Sequence, residues 1–82
     1  MILELKGAEA TINSTASTFN NATLVKVIVT TGTPVITITT ASDAAVGNTT
    51  LNTGIHFIKK HPTEKIAASA DVKGTPVAFT VG

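Results

Sequence analysis

Two neighbouring segments that alternate branched side chains constrain the fold of this chain more than any other feature. Residues 24–31 read LVKVIVTT, with valine at every second position and with leucine, Lys26 and isoleucine between. Residues 35–40 read VITITT, in which isoleucine alternates with threonine. A period of two is typical of β-strands, and branching at Cβ favours the pleated sheet. Both faces of the first segment are apolar, which predicts a central strand with Lys26 emerging at its rim.

The tetrapeptide GTPV precedes a strand-like run twice, starting at Gly32 and at Gly74. Glycine can adopt a positive φ and turn the chain, while proline fixes φ and keeps the residue before it extended. We therefore expect both glycines to turn the chain and Pro34 and Pro76 to begin strands. The first copy predicts either a hairpin or a tight corner between the two alternating segments. Outside the tetrapeptide the two copies do not match, so one local device used twice explains them better than a duplication.

Turn-forming residues divide the rest of the chain into further short segments at a spacing of roughly ten residues. Alternation places Ile55 and Phe57 on one face of their strand and directs Val77, Phe79 and Val81 inward. Besides the two alternating segments, strands are predicted at residues 2–5, 8–13, 49–52, 55–60 and 76–81, the second of them weakly.

The segments between these strands are polar or rich in small residues. Residues 14–22 read as a loop. Residues 52–54, NTG, read as a turn that ends at Gly54. Residues 41–48, ASDAAVGN, also read as a loop, with a single helical turn as the alternative. Residues 65–72 are either a strand that leads into a turn or a helical turn.

Taken together, the segments predict an all-β fold: a small antiparallel β-sandwich or barrel of six to eight short strands. Threonine accounts for 16 of the 82 residues, and the chain contains no cysteine that could form a disulfide. We expect one domain over residues 1–82, in which residues 1–23 form an N-terminal arm or edge strands. A core this small often gains stability from neighbours, so a homo-oligomer is expected.

No local motif supplies catalytic chemistry. His56 and His61 are five residues apart, which places them on opposite faces of a strand and suits a shared metal poorly. No serine lies in a nucleophile elbow, and GTPV has one glycine and a proline where a phosphate loop needs backbone donors. We therefore expect no enzyme, no catalytic residue, no metal and no cofactor. The carboxylates are scattered, at Glu4, Glu9, Asp43, Glu64 and Asp71.

The charge pattern narrows the kinds of partner. A net charge of +1 makes nucleic acid an unexpected partner, and the longest purely apolar run is too short for a membrane span. Residues 59–65, KKHPTEK, are the one concentration of charge. Lys59, Lys60 and His61 are therefore the predicted interface residues, with a solvated strand end as the alternative.

Motifs in the second half of the chain carry a family resemblance. Residues 57–60 read FIKK, residues 62–69 read PTEKIAAS, and residues 75–79 read TPVAF. With the alternating segments before them, they resemble small structural proteins of tailed bacteriophages, especially phages that infect marine cyanobacteria and related hosts. The resemblance covers roughly residues 24–80 and does not place the first 23.

The resemblance implies a virion structural protein with a small β fold, assembled in the cytoplasm of a bacterial host. Within that class we expect a capsid decoration or cement protein that binds the major capsid protein or other virion proteins in many copies, without a small-molecule substrate. A neck, tail or fibre-associated protein is the alternative. A small host-directed binding or inhibitor protein is the alternative from another class, although such inhibitors are commonly strongly acidic.

Overall fold

The computed structural model describes residues 2–80, which form eight strands in two antiparallel sheets. This confirms the predicted all-β class, and the two sheets are consistent with a small β-sandwich. The larger sheet has the order β1-β8-β3-β6 with β2 also paired to β8, and the smaller has the order β5-β4-β7. The strands are β1 (Ile2–Leu5), β2 (Ala10–Ile12), β3 (Leu24–Val29), β4 (Val35–Thr39), β5 (Ala45–Thr50), β6 (Gly54–Lys59), β7 (Lys65–Ala68) and β8 (Val72–Thr80).

The core lies between the two sheets and is built from the alternation seen in the sequence. The valines of β3 are 0%, 0% and 1% exposed, so one face of this strand is fully covered. Ile36 of β4 and Ile66 of β7 approach from the smaller sheet and are 1% and 0% exposed. Burial of each such side chain stabilises the fold by roughly 1.5–3 kcal/mol. The part of the chain that the structure describes contains no helix, and so none able to cross a membrane.

β8 is the central strand of the larger sheet. One side pairs with β3, and the other pairs with both β1 and β2. Leu5 lies opposite Val77 and Ala10 opposite Gly74, so residues 6–9 face only two residues of β8. β1 and β2 are therefore one edge strand with a two-residue insertion, which bends the strand and interrupts its ladder.

The second GTPV lies inside β8, so the expected turn at Gly74 and strand start at Pro76 are wrong. The reason is packing: a Cβ on Gly74 would lie 2.5 Å from the Ile12 Cδ1 atom, so only glycine lets Ile12 sit against this strand. Pro76 accepts a 2.8 Å hydrogen bond from the Lys6 N–H. The carbonyl and nitrogen of one residue point to the same side of a strand, so the missing N–H of Pro76 faces the insertion rather than β3.

The first GTPV behaves as expected. Gly32 has a φ of 76°, and Pro34 immediately precedes β4. Because β3 belongs to the larger sheet and β4 to the smaller, the link is a corner between sheets and not a hairpin. Gly54 has a φ of 141° and begins β6, where the chain returns to the larger sheet.

β5 begins earlier than the sequence suggests. Residues 41–48 were expected to be a loop or a helical turn, but pairing with β4 extends the strand back to Ala45. The register shifts between Ile38 and Thr39, which accommodates an extra residue in β5. All six residues of β5 are exposed. For residues 65–72 the strand alternative is confirmed by β7.

The loop over residues 13–23 closes one side of the core. Phe19, Asn20 and Asn21 have φ values of 55°, 61° and 55°, a left-handed turn that brings Phe19 and Ala22 into the core. Ser17 exchanges two backbone hydrogen bonds with Ile66, of 2.8 and 3.2 Å. The loop therefore covers the outer edge of β7.

Candidate protein-docking surface

The larger sheet has a second apolar face, pointing away from the core. Residues opposite one another in an antiparallel sheet share a face, and the face alternates along each strand. Lys26 lies opposite Phe57 on β6 and opposite Thr75 on β8, so all three point away from the buried valines of β3. The same rule assigns the remaining positions. We call this surface the outer face; it consists of Leu3, Leu5, Thr11, Leu24, Lys26, Ile28, Ile55, Phe57, Lys59, Lys73, Thr75, Val77 and Phe79.

Large apolar side chains of the outer face are open to solvent. Leu5 is 67% exposed, Ile55 59%, Phe57 44% and Phe79 41%. These residues come from β1, β6 and β8, so the exposure is spread across the whole sheet. A contiguous apolar surface on a small domain marks an interaction site more often than chance exposure, because water disfavours it.

An aromatic pair organises the middle of the outer face. The ring centroids of Phe57 and Phe79 are 5.0 Å apart with planes inclined at 59°, within the range of favourable tilted pairs. The two rings come from the strands that flank β3, so they meet over that strand. Val77 shares this face, lies opposite Leu5 and is only 2% exposed. Its neighbours on the face already cover it, which makes the outer face a preformed apolar layer.

The expected inward position of Val77 and Phe79 is wrong: both lie on the outer face, where Val77 is covered and Phe79 is exposed. Phe79 has the parity of Val77 and Thr75, which face away from the core; Val81 lies outside the described residues. The sequence of β6 indicated this exposed face, since Ile55, Phe57 and Lys59 occupy every second position and therefore lie on the same side of the strand. A charged residue in register with two large apolar ones indicates a face that is apolar but not covered by the chain itself.

The charge on the outer face has one sign. Lys26 lies near its centre, Lys59 lies opposite Leu24, and Lys73 lies opposite Ile28. Among the described residues, no carboxylate belongs to the outer face. The two ion pairs of these residues, Lys6–Glu4 and Lys65–Asp43, lie outside the face. The Lys73 Nζ donates a 2.8 Å hydrogen bond to the Thr11 Oγ1. The outer face therefore combines an apolar centre with ammonium groups that have no carboxylate partner among the described residues.

The three predicted interface residues do not share one environment. Lys59 is exposed on the outer face, and His61 is exposed in the turn that follows β6. Lys60 is only 4% exposed, and its Nζ donates to the carbonyl oxygens of Glu64 at 2.8 Å and of His61 at 3.3 Å. Burial lowers the pKa of the Lys60 ammonium, and the nearby Glu64 carboxylate partly opposes that shift. Lys60 braces the turn from inside, and its predicted interface role stays a prediction.

The two histidines take part in separate turn contacts. The His56 Nε2 lies 2.7 Å from the carbonyl oxygen of Asn52, an interaction that holds the turn before β6. His61 donates its backbone N–H to the Glu64 Oε1 at 2.7 Å. Within residues 2–80 no group of three or more histidine, cysteine or carboxylate side chains is close enough to hold a metal ion.

A cleft of about 340 Å³ opens between the interrupted edge strand and the loop that follows it. Its floor is Ile12, Phe19 and Ile66, and hydroxyl and amide side chains line the rim. No lining residue is ionisable, so the cleft offers neither an acid nor a base to a bound molecule. The outer face is the stronger candidate site.

Comparisons with protein-family models, with curated protein sequences and with solved structures gave no match for this chain.

Proposed function

We propose that this chain is a structural protein of a bacteriophage particle, without catalytic activity, that attaches to other particle proteins through its outer face. The most direct form is a decoration or cement protein on the major capsid protein. The observation that carries the proposal is the exposed apolar layer around Phe57 and Phe79, which no other layer of residues 2–80 covers. The family resemblance of residues 57–79 supports the choice of a virion partner.

The aromatic side chains of the outer face favour a protein as the partner. Aromatic side chains dominate the energetics of protein interfaces because each buries a large area at small cost in side-chain entropy. Phe57 and Phe79 already contact each other, so little further ordering is needed when a partner covers them. Leu5 and Ile55 extend the apolar area toward both edges of the larger sheet.

Charge specifies the partner surface further. Lys26, Lys59 and Lys73 would be opposed by carboxylates, so we assign the partner an apolar centre with acidic side chains around it. A second copy of the chain fits the outer face poorly, because docking face to face would set lysines against lysines. Each contact can be weak when a particle binds many copies, since an array of sites retains proteins that single sites would release.

The first test is quantitative mass spectrometry of purified particles of the phage that encodes the chain. We expect the chain at a copy number near the number of capsomers. About six or twelve copies would move the site of attachment to the neck or tail. Absence from the particles, combined with capture of a host protein, would replace the proposal with a host-directed binder.

The second test measures binding of the purified chain to particles that lack it. Replacing Phe57 or Phe79 with serine should weaken binding at least about tenfold, as truncation of an aromatic anchor does. The matched control is Ile2→Ser, because Ile2 is 52% exposed but lies on the opposite side of β1 from Leu3 and Leu5. Equal binding of all variants would exclude the outer face as the docking surface.

A further inference from the structure

β5 presents a free edge that the proposed function does not use. It pairs with β4 on one side, and no strand of residues 2–80 pairs with its other side. Leu51 donates its N–H to the Pro34 carbonyl oxygen at 2.9 Å, toward β4. Backbone groups alternate sides along a strand, so the N–H and C=O groups of Asn48 and Thr50 point away from β4. We call these four groups the free edge of β5.

The other edges of the two sheets are interrupted, covered or charged; β5 has a bulge near its start, but the stretch that follows it, residues 48–50, is regular and open. The β1–β2 edge is interrupted by the insertion at residues 6–9, and the edge of β7 is covered by the hydrogen bonds of Ser17. β6 ends at the exposed Lys59, and Pro62 follows three residues later. Such interruptions, coverings and charges are the usual protections against strand pairing. Residues 44–55, which include β5, contain no charged side chain and no proline.

We propose that the free edge of β5 pairs antiparallel with the same edge of a second copy of this chain. With Thr49 on the two-fold axis, Asn48 faces Thr50 of the second copy, and the reverse pair is equivalent. All four free backbone groups of each copy are then hydrogen-bonded, and the two three-stranded sheets become one six-stranded sheet. Thr49 lies opposite Thr49 of the second copy, a favourable cross-strand pair.

The absence of charge favours a second copy as the occupant of this edge. An uncharged strand meets its own copy without like-charge repulsion, and the two-fold arrangement pairs all the open backbone groups of both copies. All six residues of β5 are exposed, so pairing requires no rearrangement of the core. A single strand pair buries less area than the roughly 1,200–2,000 Å² of stable interfaces, so the dimer forms weakly and depends on concentration.

Sedimentation velocity of the purified chain over a wide concentration range tests the proposal. We expect the mass to rise from 8.4 kDa toward twice that value as concentration increases. Hydrogen exchange at the amides of Asn48 and Thr50 should slow over the same range, while exchange at Asn52 stays constant. A chain that remains monomeric up to its solubility limit overturns the proposal.

Variants separate this edge from the outer face. Thr49→Lys places two ammonium groups opposite each other at the two-fold axis and should weaken association at least about tenfold. Ala70→Lys adds the same charge at an exposed bend away from β5 and is the control. Asn48→Pro removes an outward N–H without removing a bond to β4, and should also abolish the dimer. A dimer that survives Thr49→Lys and Asn48→Pro but is lost in Phe57→Ser forms through the outer face and overturns this inference; particle binding is measured separately.

Discussion

The two faces of the larger sheet both carry large apolar side chains, but those of one face are buried and several of the other are exposed to solvent. Val25, Val27 and Val29 are at most 1% exposed, because the smaller sheet covers them. Phe57 and Phe79 are 44% and 41% exposed, because no layer of the described residues covers them. The hydrophobic effect acts equally on both faces, so the difference lies in the partner. The inner face stabilises the fold, and the outer face is available to stabilise a complex.

A matched pair of isoleucines gives the largest test of this comparison. Ile66 is buried and Ile55 is 59% exposed. Ile66→Ala removes buried methyl groups and leaves a cavity, so we expect the free energy of unfolding to fall by about 2–5 kcal/mol. Ile55→Ala should cost less than about 1 kcal/mol. Urea denaturation of the two variants measures both, and equal losses would show that the outer face also supports the fold.

A matched pair of glycines tests how tightly the inner face is packed. Gly74→Ala introduces a Cβ 2.5 Å from the Ile12 Cδ1 atom and 3.1 Å from the Phe19 Cζ atom. We expect a loss of about 1–3 kcal/mol, since Ile12 must move. Gly47→Ala, in β5, meets nothing within 4 Å and should change stability by less than about 1 kcal/mol. Thermal denaturation checks both, and a harmless Gly74→Ala would mean that Ile12 has room to adjust.

The buried Lys60 gives a smaller, pH-dependent effect. The pKa of Lys60 is lowered by burial from its ordinary 10.5, so the unfolded state binds a proton more readily than the folded state. Stability therefore rises with pH in the window between the lowered pKa and 10.5. As the pH falls through this window, the stability contributed by neutral Lys60 is lost. We expect the stability of the wild type relative to Lys60→Met to increase across this window. Parallel pH profiles of the wild type and Lys60→Met in urea denaturation would contradict this prediction.

The alternation in the sequence predicted the strands best where both strand faces are apolar or β-branched. Residues 24–29 and 35–39 became β3 and β4 close to their predicted bounds. β5 was missed at its start because ASDAAVG has weak strand propensity, and only pairing with β4 makes it a strand. Local pattern also cannot assign a strand to a sheet, which is why hairpin and corner remained open for Gly32.

The candidate site was predicted less well, for a physical reason. The concentration of charge in the sequence predicts Lys59, Lys60 and His61 as interface residues, but adjacent residues of a strand point in opposite directions. Lys59 therefore reached the outer face and Lys60 the interior. Phe79 was expected inside because large apolar residues usually are, and its exposure follows from which neighbours its strand acquires. The spacing of Ile55, Phe57 and Lys59 at every second position was the sequence feature that indicated the outer face.

The central place of β8 has a consequence for biosynthesis. β8 is the last of the described strands to leave the ribosome, yet β1, β2 and β3 all pair with it. At about 5–20 residues per second, synthesis from the end of β6 to the end of β8 takes roughly one to four seconds. Throughout that interval β1, β2 and β3 lack their shared neighbour, and the backbone groups on one edge of β3 stay without their partners in β8. The larger sheet therefore cannot close before β8 is made, and its closure joins the first and the last of the described strands.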